Sequence, residues 1–210
     1  DATAVSLAEL PPGAYRLIMG AYYGDFSNLR VPVTQAATNA PNDMATLGWI
    51  KVPQHAMPEP DDNAMTYDAV LGDQQFALIG GSAEPVNADE PGKIRLRLTW
   101  QALADRPTLD ATIFVHVLGA EDTFITQNDA RPWNGQYPTF IWDAGEIVQT
   151  EHLLDIGDTP LAEVNLIAGM YFFISSNQTQ RLDVVQDGES VPQQVITLGN
   201  LGELVKTIMQ

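Results

Sequence analysis

Cysteine is absent from this chain of 210 residues, and basic residues are scarce. Without cysteine the protein forms no disulfide, no thiolate zinc site and no thiol nucleophile. Its 10 Lys and Arg are outnumbered by 27 Asp and Glu, which gives a formal net charge of −17. Because phosphate binding needs a basic surface, no nucleic-acid partner is expected, and anionic membrane surfaces are disfavoured.

Long apolar runs and common catalytic motifs are also missing. No run reaches the roughly 18 apolar residues of a membrane-spanning helix. The opening residues, DATAVSLAELPPG, lack the basic and apolar regions of a signal peptide. The patterns G-x-S-x-G, H-E-x-x-H, G-x-G-x-x-G and the P-loop do not occur. The sequence therefore offers no motif for the common hydrolases, metalloproteases or nucleotide-binding enzymes.

What the chain has is a period of two. Apolar residues make up 45% of the sequence, enough for a core, and charged residues make up only 18%. KIRLRLTW (93–100) alternates apolar with basic or polar residues, which predicts a half-buried strand. ATIFVHVLG (111–119) is apolar on both faces, which predicts a central strand that is buried on both sides.

Further segments share this β character, and turn signals such as ADEPG, ADRP and QDGES separate them. They are YRLIMGAYY (15–23), LRVPV (29–33), EIVQTEHLL (146–154), EVNLIAGMYFFIS (163–175) and RLDVV (181–185). LGNLGELVKTIMQ (198–210) and VSLAEL (5–10) are the candidate short helices. The pattern predicts an all-β protein built as an antiparallel β-sandwich of jelly-roll type.

An internal repeat links the two ends of the chain. When Gly20 is set against Gly169, YRLIMGAYY aligns with VNLIAGMYF, and a first-copy hairpin two residues shorter brings Arg30 onto Arg181. The tripeptide TLG (46–48) then falls on TLG (197–199) without a gap. Residues 1–52 are therefore predicted to be the tail of a preceding sandwich repeat, 53–64 a linker, and 65–205 a complete module.

This division leaves the first repeat without its opening half, so the chain is expected to be a soluble piece of a longer protein. A hairpin of two strands is only marginally stable by itself. We expect the N-terminal hairpin to pack on the complete module or to self-associate with another chain.

The motifs of the complete copy resemble those of a known module. They are GDQQFALIGG (72–81), PGKIRLRLTWQAL (91–103), TIFVHVLG (112–119), NDARPWNGQYPTFIWDAGE (128–146), and VNLIAGMYF followed by RLDV. They resemble a β-sandwich found after the membrane-spanning part of bacterial glycosyltransferase-like proteins related to the dolichyl-phosphate-mannose protein mannosyltransferases. The resemblance implies a non-catalytic, extracytoplasmic domain of a membrane-anchored parent, with no assigned substrate.

One stretch, NGQYPTFIWDAGE (134–146), admits several interpretations. As structure, it is a crossover that its glycines and Pro138 bend and its aromatic residues pin to the sheets. As a sugar site, the rings of Trp133, Tyr137 and Trp142 stack on a pyranose while Asp129, Arg131 and Asp143 bind its hydroxyls. As a glycosidase-like site, Asp143 and Glu146 form an acid pair, although sequence proximity says nothing of their separation.

Metal binding has weaker support. His55, His116 and His152 are scattered in the sequence. His116 and His152 lie on predicted strands and are candidate neighbours, but no third ligand is evident. No cofactor is expected, although the acidic loops EPDDN (59–63), ADE (88–90) and AED (120–122) leave a calcium site open. The preferred function is an accessory domain that binds carbohydrate or cell-envelope glycan. The alternatives are a structural spacer and, more distantly, a glycan-active enzyme.

Overall fold

A computed structural model describes residues 10–11, 13–24, 30–32, 44–52, 64–87, 89–90 and 92–208 of the chain. The chain divides into two compact units, Asp1–His55 and Ala56–Gln210. Within these described ranges, no helix is long and apolar enough to cross a membrane. The VSLAEL segment except for Leu10, and the predicted linker except for Ala64, lie outside the described residues.

The described residues of the first unit form an antiparallel hairpin. Strand β1 (Gly13–Met19) pairs with β2 (Ala45–Val52), with a register shift between Leu17 and Ile18. Tyr22 and Arg30 form a further antiparallel bridge. The predicted strand YRLIMGAYY is thus confirmed over its first half, and of LRVPV the structure describes only residues 30–32.

The described residues of the second unit form two antiparallel sheets. Their strands, followed by one helix, are β3 (Met65–Leu71), β4 (Phe76–Pro85), β5 (Lys93–Ala102), β6 (Thr112–Leu118), β7 (Phe124–Ala130), β8 (Ile147–Asp155), β9 (Asn165–Ser175), β10 (Gln178–Arg181), β11 (Val184–Gln186), β12 (Glu189–Val191), β13 (Ile196–Asn200) and α1 (Leu201–Ile208). The larger sheet has the order β12-β11-β3-β4-β5-β8. The smaller sheet has the order β10-β9-β6-β7, with β13 also paired to β9. The predicted all-β sandwich is confirmed.

Side-chain alternation sets which face of each sheet is buried. On β5 the apolar residues Leu96, Leu98 and Trp100 have no exposed surface, whereas the intervening side chains are half-buried, as predicted. Strand β6 is central, between β9 and β7. Strand β6 is predicted to be buried on both faces. On the face that carries Phe114 and His116, this is confirmed for Phe114, whereas His116 is half-buried.

The core fills the space between the two sheets. Its largest fully buried side chains come from both sheets and from the crossover between β7 and β8, and they include Trp100, Trp142, Phe76, Leu78, Leu98, Ile113 and Leu166. Each buried side chain of this size contributes about 1.5–3 kcal/mol relative to an exposed one. Helix α1 adds Leu201 and Leu204, both buried. The candidate helix at the end of the chain is therefore confirmed over Leu201–Ile208.

The segment RLDVV was predicted as one strand, and this is wrong. Arg181 ends β10 in the smaller sheet, whereas Val184 begins β11 in the larger sheet. The chain crosses between the sheets at Leu182, whose N–H donates to the carbonyl of Met170. A run of β-forming residues indicates extended backbone, but it does not show that the strand changes sheets partway along.

We predict that Leu96→Ala lowers the free energy of unfolding of the second unit by about 2–5 kcal/mol, because it leaves a cavity between the sheets. Urea unfolding followed by tryptophan fluorescence measures this change. Leu153→Ala is the matched control, since Leu153 lies on the neighbouring strand β8 and is 57% exposed. Equal losses for both variants would contradict this assignment of the core.

Candidate functional site

The crossover from β7 to β8 contains the stretch that sequence analysis singled out. It passes through two 3₁₀ turns, Pro132–Gly135 and Thr139–Ile141. Gly135 and Gly145 have φ of 84° and 81°, a conformation that favours glycine, so these glycines bend the crossover as predicted. Trp133 also has a positive φ, 49°, which is uncommon for a bulky side chain and is held by contacts of its indole.

The aromatic rings of the crossover are mostly turned inward. Trp142 has no exposed surface, packs edge-on against Phe76 at 5.7 Å between centroids, and donates its Nε1–H to the Tyr137 carbonyl at 3.2 Å. Tyr137 is buried too, and its ring stacks on Trp133 at 4.5 Å. Trp133 is half-buried and donates its Nε1–H to the carbonyl of Gln149 at 3.0 Å. Neither buried ring presents a face to a pyranose in this structure.

The carboxylates of the crossover serve its own backbone and side chains. Glu146 accepts the Asp143 N–H at 2.8 Å and the hydroxyl of Tyr137. Burial, followed by the bond to Glu146, raises the pKa of Tyr137. Asp143 is exposed and lies 3.8 Å from the Arg106 guanidinium. These contacts fit the structural interpretation of the stretch, and they show that Glu146 also ties the crossover together.

The six predicted ligand-binding residues therefore lie in different places. Tyr137 and Trp142 are inside the protein, Asp143 is at an exposed turn, and Asp129 lies on the outer face of the smaller sheet. Only Arg131 and Trp133 border the same cleft. Their binding of a ligand remains a prediction.

That cleft lies where the edge strands β7 and β8 approach each other. It is lined by Asn128, Ala130, Arg131, Trp133, Asn134, Thr150, Glu151 and Leu153. Most of its polar side chains already have partners: Arg131 lies 3.2 Å from Asp110, and Glu151 lies 3.1 Å from Arg95. The cleft offers a ligand one half-exposed ring and few unengaged groups.

A chain of hydrogen bonds runs beneath the cleft. Trp100 Nε1–H donates to Thr150 Oγ1 at 3.1 Å, and Thr150 Oγ1 lies 3.2 Å from His152 Nε2. His152 Nδ1 lies 2.9 Å from Asn128 Oδ1. This order is satisfied when neutral His152 donates from Nδ1 and accepts at Nε2. Burial lowers the pKa of His152 to about 4, in part opposed by the bond to Asn128.

The outer face of the smaller sheet carries a second group of aromatic residues, which we call the outer aromatic row. In order across the sheet they are Phe124 on β7, His116 and Phe114 on β6, and Tyr171 and Phe173 on β9. Successive ring centroids are 5.9, 5.0, 6.3 and 5.7 Å apart. The two end rings are the most accessible, with Phe124 55% and Phe173 49% exposed.

Charged groups border this row. The Arg181 guanidinium lies over the ring of Phe114, 4.6 Å from its centroid. Burial raises the pKa of Tyr171, and the nearby Asp129, which hydrogen bonds Tyr171, raises it further. Burial is the main effect on His116 and lowers its pKa. Of two smaller effects, Asp129 raises this pKa and Arg181 lowers it. All these groups share one surface.

Gly169 makes the centre of the row possible. It lies opposite Phe114 in the pairing of β6 with β9. A Cβ at Gly169 would come within 2.6 Å of the Phe114 ring, so only glycine leaves room for that ring. The alternation of Phe114 and His116 on one face of ATIFVHVLG was visible in the sequence. The partners on β7 and β9 were not, because strand register decides them.

The structure also places the residues considered for metal binding. His116 belongs to the outer aromatic row, whereas His152 is buried on β8 and contacts Asn128, so the structure does not bring these two candidate neighbours together. In the described part of the chain, no group of three or more His, Asp or Glu is arranged to hold a metal ion. His55 and the acidic loop EPDDN lie outside the described residues.

Comparisons with known proteins add little. No family model matches the chain, and no curated protein matches it. A solved structure, described as the crystal structure of the C-terminal domain of Wzt, matches at 10% sequence identity and a TM-score of 0.40, over 67% of this chain and 78% of that chain. A likeness this low supports no inference about the ligand. The resemblance to the glycosyltransferase-related module therefore stays a prediction.

We predict that Thr139→Val destabilises the second unit by about 1–3 kcal/mol, because it removes a buried hydrogen-bond partner. Thr139 is fully buried; its Oγ1 accepts the Ala111 N–H at 2.8 Å and donates to the Leu109 carbonyl. Thr139→Ser keeps the hydroxyl and is the control. Urea unfolding compares the two variants, and an unaffected Thr139→Val would mean that the crossover is not anchored here.

We also predict that acid weakens the second unit through His152. The ordinary pKa of histidine is 6.5, but burial lowers the pKa of His152 to about 4 in the fold, so below pH 6.5 the unfolded chain binds a proton that the folded protein does not. Stability from this group is complete above pH 6.5 and is lost as the pH falls towards 4. The loss reaches about 2 kcal/mol at pH 5.

Chemical denaturation at pH 7 and pH 5 measures this effect, with His152→Gln as the comparison. His116 also has a lowered pKa and adds a smaller loss of the same sign in both proteins. The variant should therefore lose less stability between the two pH values than the parent does. Identical losses would show that His152 is not a buried neutral group.

Proposed function

We propose that this chain is a non-catalytic accessory domain that binds a neutral glycan on the outer face of its smaller sheet. The observation that carries the proposal is the outer aromatic row, five contacting rings that cross β7, β6 and β9. Its two accessible rings, Phe124 and Phe173, lie at opposite ends of the row, whereas Phe114 at its centre is 1% exposed. An elongated ligand of several units therefore fits this surface better than a single sugar does.

The row combines apolar ring faces with polar groups that converge on them. Sugar rings bind through their apolar C–H faces and through hydroxyl groups that need donors and acceptors. Phe124 and Phe173 supply exposed rings at the two ends. Between them, Arg181 supplies guanidinium donors above Phe114, and Asp129 supplies carboxylate acceptors.

Charge favours a neutral ligand over an acidic one. Arg181 and Asp129 carry opposite charges within the same surface, so the site itself is close to balanced. The whole chain carries a formal charge of −17, which opposes the approach of an anionic polymer. A neutral glycan is not repelled by the net negative charge and does not need an excess of positive charge in the site.

A binding role is preferred to catalysis because the one candidate acid pair is engaged elsewhere. Both oxygens of the Glu146 carboxylate accept hydrogen bonds within the crossover. The proposed setting, on the extracytoplasmic side of a membrane in a glycosyltransferase-like parent, rests on the sequence resemblance alone. A glycan-binding domain suits such a parent, since it would hold a glycan near the site of transfer.

A structural spacer is the second candidate. The burial of Tyr137 and Trp142 favours it, since these rings hold the crossover to the core and are not presented to a ligand. A spacer, however, gives no reason for exposed rings at both ends of the outer aromatic row.

We predict that Phe173→Ala and Phe124→Ala each weaken binding of a neutral oligosaccharide by about 3- to 10-fold, because each removes one stacking face. A glycan array identifies the ligand, and isothermal titration calorimetry measures the affinities. Val185→Ala is the control, since it truncates an apolar side chain that is 41% exposed, lies on the larger sheet and does not line the cleft between β7 and β8.

Trp133→Ala separates the two candidate surfaces. If only this variant loses binding, the site is the cleft between β7 and β8 and not the outer aromatic row. If the folded parent protein binds no glycan on the array, the spacer is the better account.

A further inference from the structure

The hairpin of the first unit reproduces, pair by pair, a strand pair in the core of the second unit. In the first unit Leu17 pairs with Gly48, and Ile18 pairs with Thr46. In the second unit Leu166 pairs with Gly199, and Ile167 pairs with Thr197. Each of the two strand pairs has a one-residue bulge at the equivalent position, Leu47 in the first unit and Leu198 in the second. The two copies that the sequence repeat aligns therefore also have the same strand register.

The match continues beyond the strands. Tyr22 bridges Arg30 in the first unit, as Tyr171 pairs with Arg181 in the second. The N–H of Val31 donates to the Ala21 carbonyl at 2.8 Å, and the N–H of Leu182 donates to the Met170 carbonyl at 2.9 Å. These bonds join positions that the sequence alignment makes equivalent. Two unrelated hairpins would not be expected to share them.

The two copies differ in what covers them. Leu166 and Leu198 lie against the larger sheet and are 0% and 2% exposed. Their counterparts Leu17 and Leu47 are 38% and 55% exposed. In the first unit, the face that is core in the second unit is therefore open.

One pair of substitutions indicates that this face is shaped for a core. In the second unit the small Ala168 pairs with the large Ile196, and both are fully buried. At the equivalent positions the large Met19 pairs with the small Ala45. The large side chain lies on β13 in the second unit but on β1 in the first, and the small one lies on the partner strand. The combined side-chain volume of the pair is therefore nearly the same in both units. Such exchanges are tolerated in packed cores, whereas a solvated surface imposes no such requirement.

We infer that the open face of the first unit, formed by Leu17, Met19 and Leu47, is a docking surface for a β-sheet equivalent to the larger sheet of the second unit. The occupant has the character of β3, β4, β5 and β8: antiparallel strands whose apolar side chains alternate inward. Docking would complete a second sandwich in tandem with the first. This inference is independent of the proposed glycan site, which lies wholly within the second unit.

A second copy of this chain is a poorer occupant. Each copy carries a formal charge of −17, which opposes association of two identical chains. Two hairpins facing each other also supply only two strands per layer, fewer than a stable sheet normally needs. A sheet from a further repeat supplies the layer that the second unit already shows to fit.

The test supplies a sheet of this kind. Residues 56–163 are fused directly before Tyr15, the counterpart of Val164, so that the added strands precede the hairpin as they precede β9. Amide hydrogen exchange is then compared with that of the original chain. We expect exchange of the β1 and β2 amides to slow at least about tenfold in the extended protein.

Leu17 and Ile18 provide a matched pair of variants, because they are adjacent and 38% and 37% exposed. In the extended protein Leu17→Asp should abolish the added protection, whereas Ile18→Asp on the opposite face should keep it. Equal effects of the two variants, or unchanged exchange in a protein whose added strands are folded, would overturn the inference.

A second measurement does not depend on folding of the extension. Because the chain has no cysteine, Leu17→Cys and Leu166→Cys each introduce a single thiol into the original protein. Leu17→Cys should react with a thiol reagent rapidly at every protein concentration, and Leu166→Cys slowly.

Protection of Leu17→Cys in dilute protein would mean that the face is already covered. Protection that rises with concentration would identify a second copy as the occupant. Either result overturns the inference.

Discussion

The burial of one face of each sheet against the other is the constraint on which the second unit depends. Strand β5 supplies one side of this core through Leu96, Leu98 and Trp100, and β9 supplies the other through Leu166 and Met170. Side chains alternate along a strand, so fixing the inward residues also fixes the outward ones. The salt bridges outside β5 and the aromatic row outside β9 are consequences of this alternation.

The same constraint explains why the aromatic crossover is not an exposed platform. A connection from β7 to β8 passes from one sheet to the other and must close the end of the core. Trp142 and Tyr137 fill that space, and their polar atoms bond a backbone carbonyl and Glu146. A segment can therefore be rich in aromatic residues and carboxylates and still serve mainly to hold two sheets together.

Within the chain, one strand pair occurs in two environments. The pair β9–β13 is covered by a sheet, and the pair β1–β2 is open on the corresponding face, although their registers agree. Local sequence is thus sufficient to specify the hairpin, its bulge and its bridge. What differs is the solvation of Leu17 and Leu47, which tertiary packing controls.

The sequence by itself determined the all-β class, the alternation of β5, the central strand β6, the terminal helix and the alignment of the two repeats. Each of these follows from short-range periodicity or from spacing along the chain. Only the tertiary structure decided that RLDVV divides between two sheets, that His116 and His152 are apart, and that Trp142 faces inward. It also brought Phe124, His116 and Tyr171 into one row. The reason is physical: strand order and register join residues far apart in sequence, and no local pattern encodes which strands become neighbours.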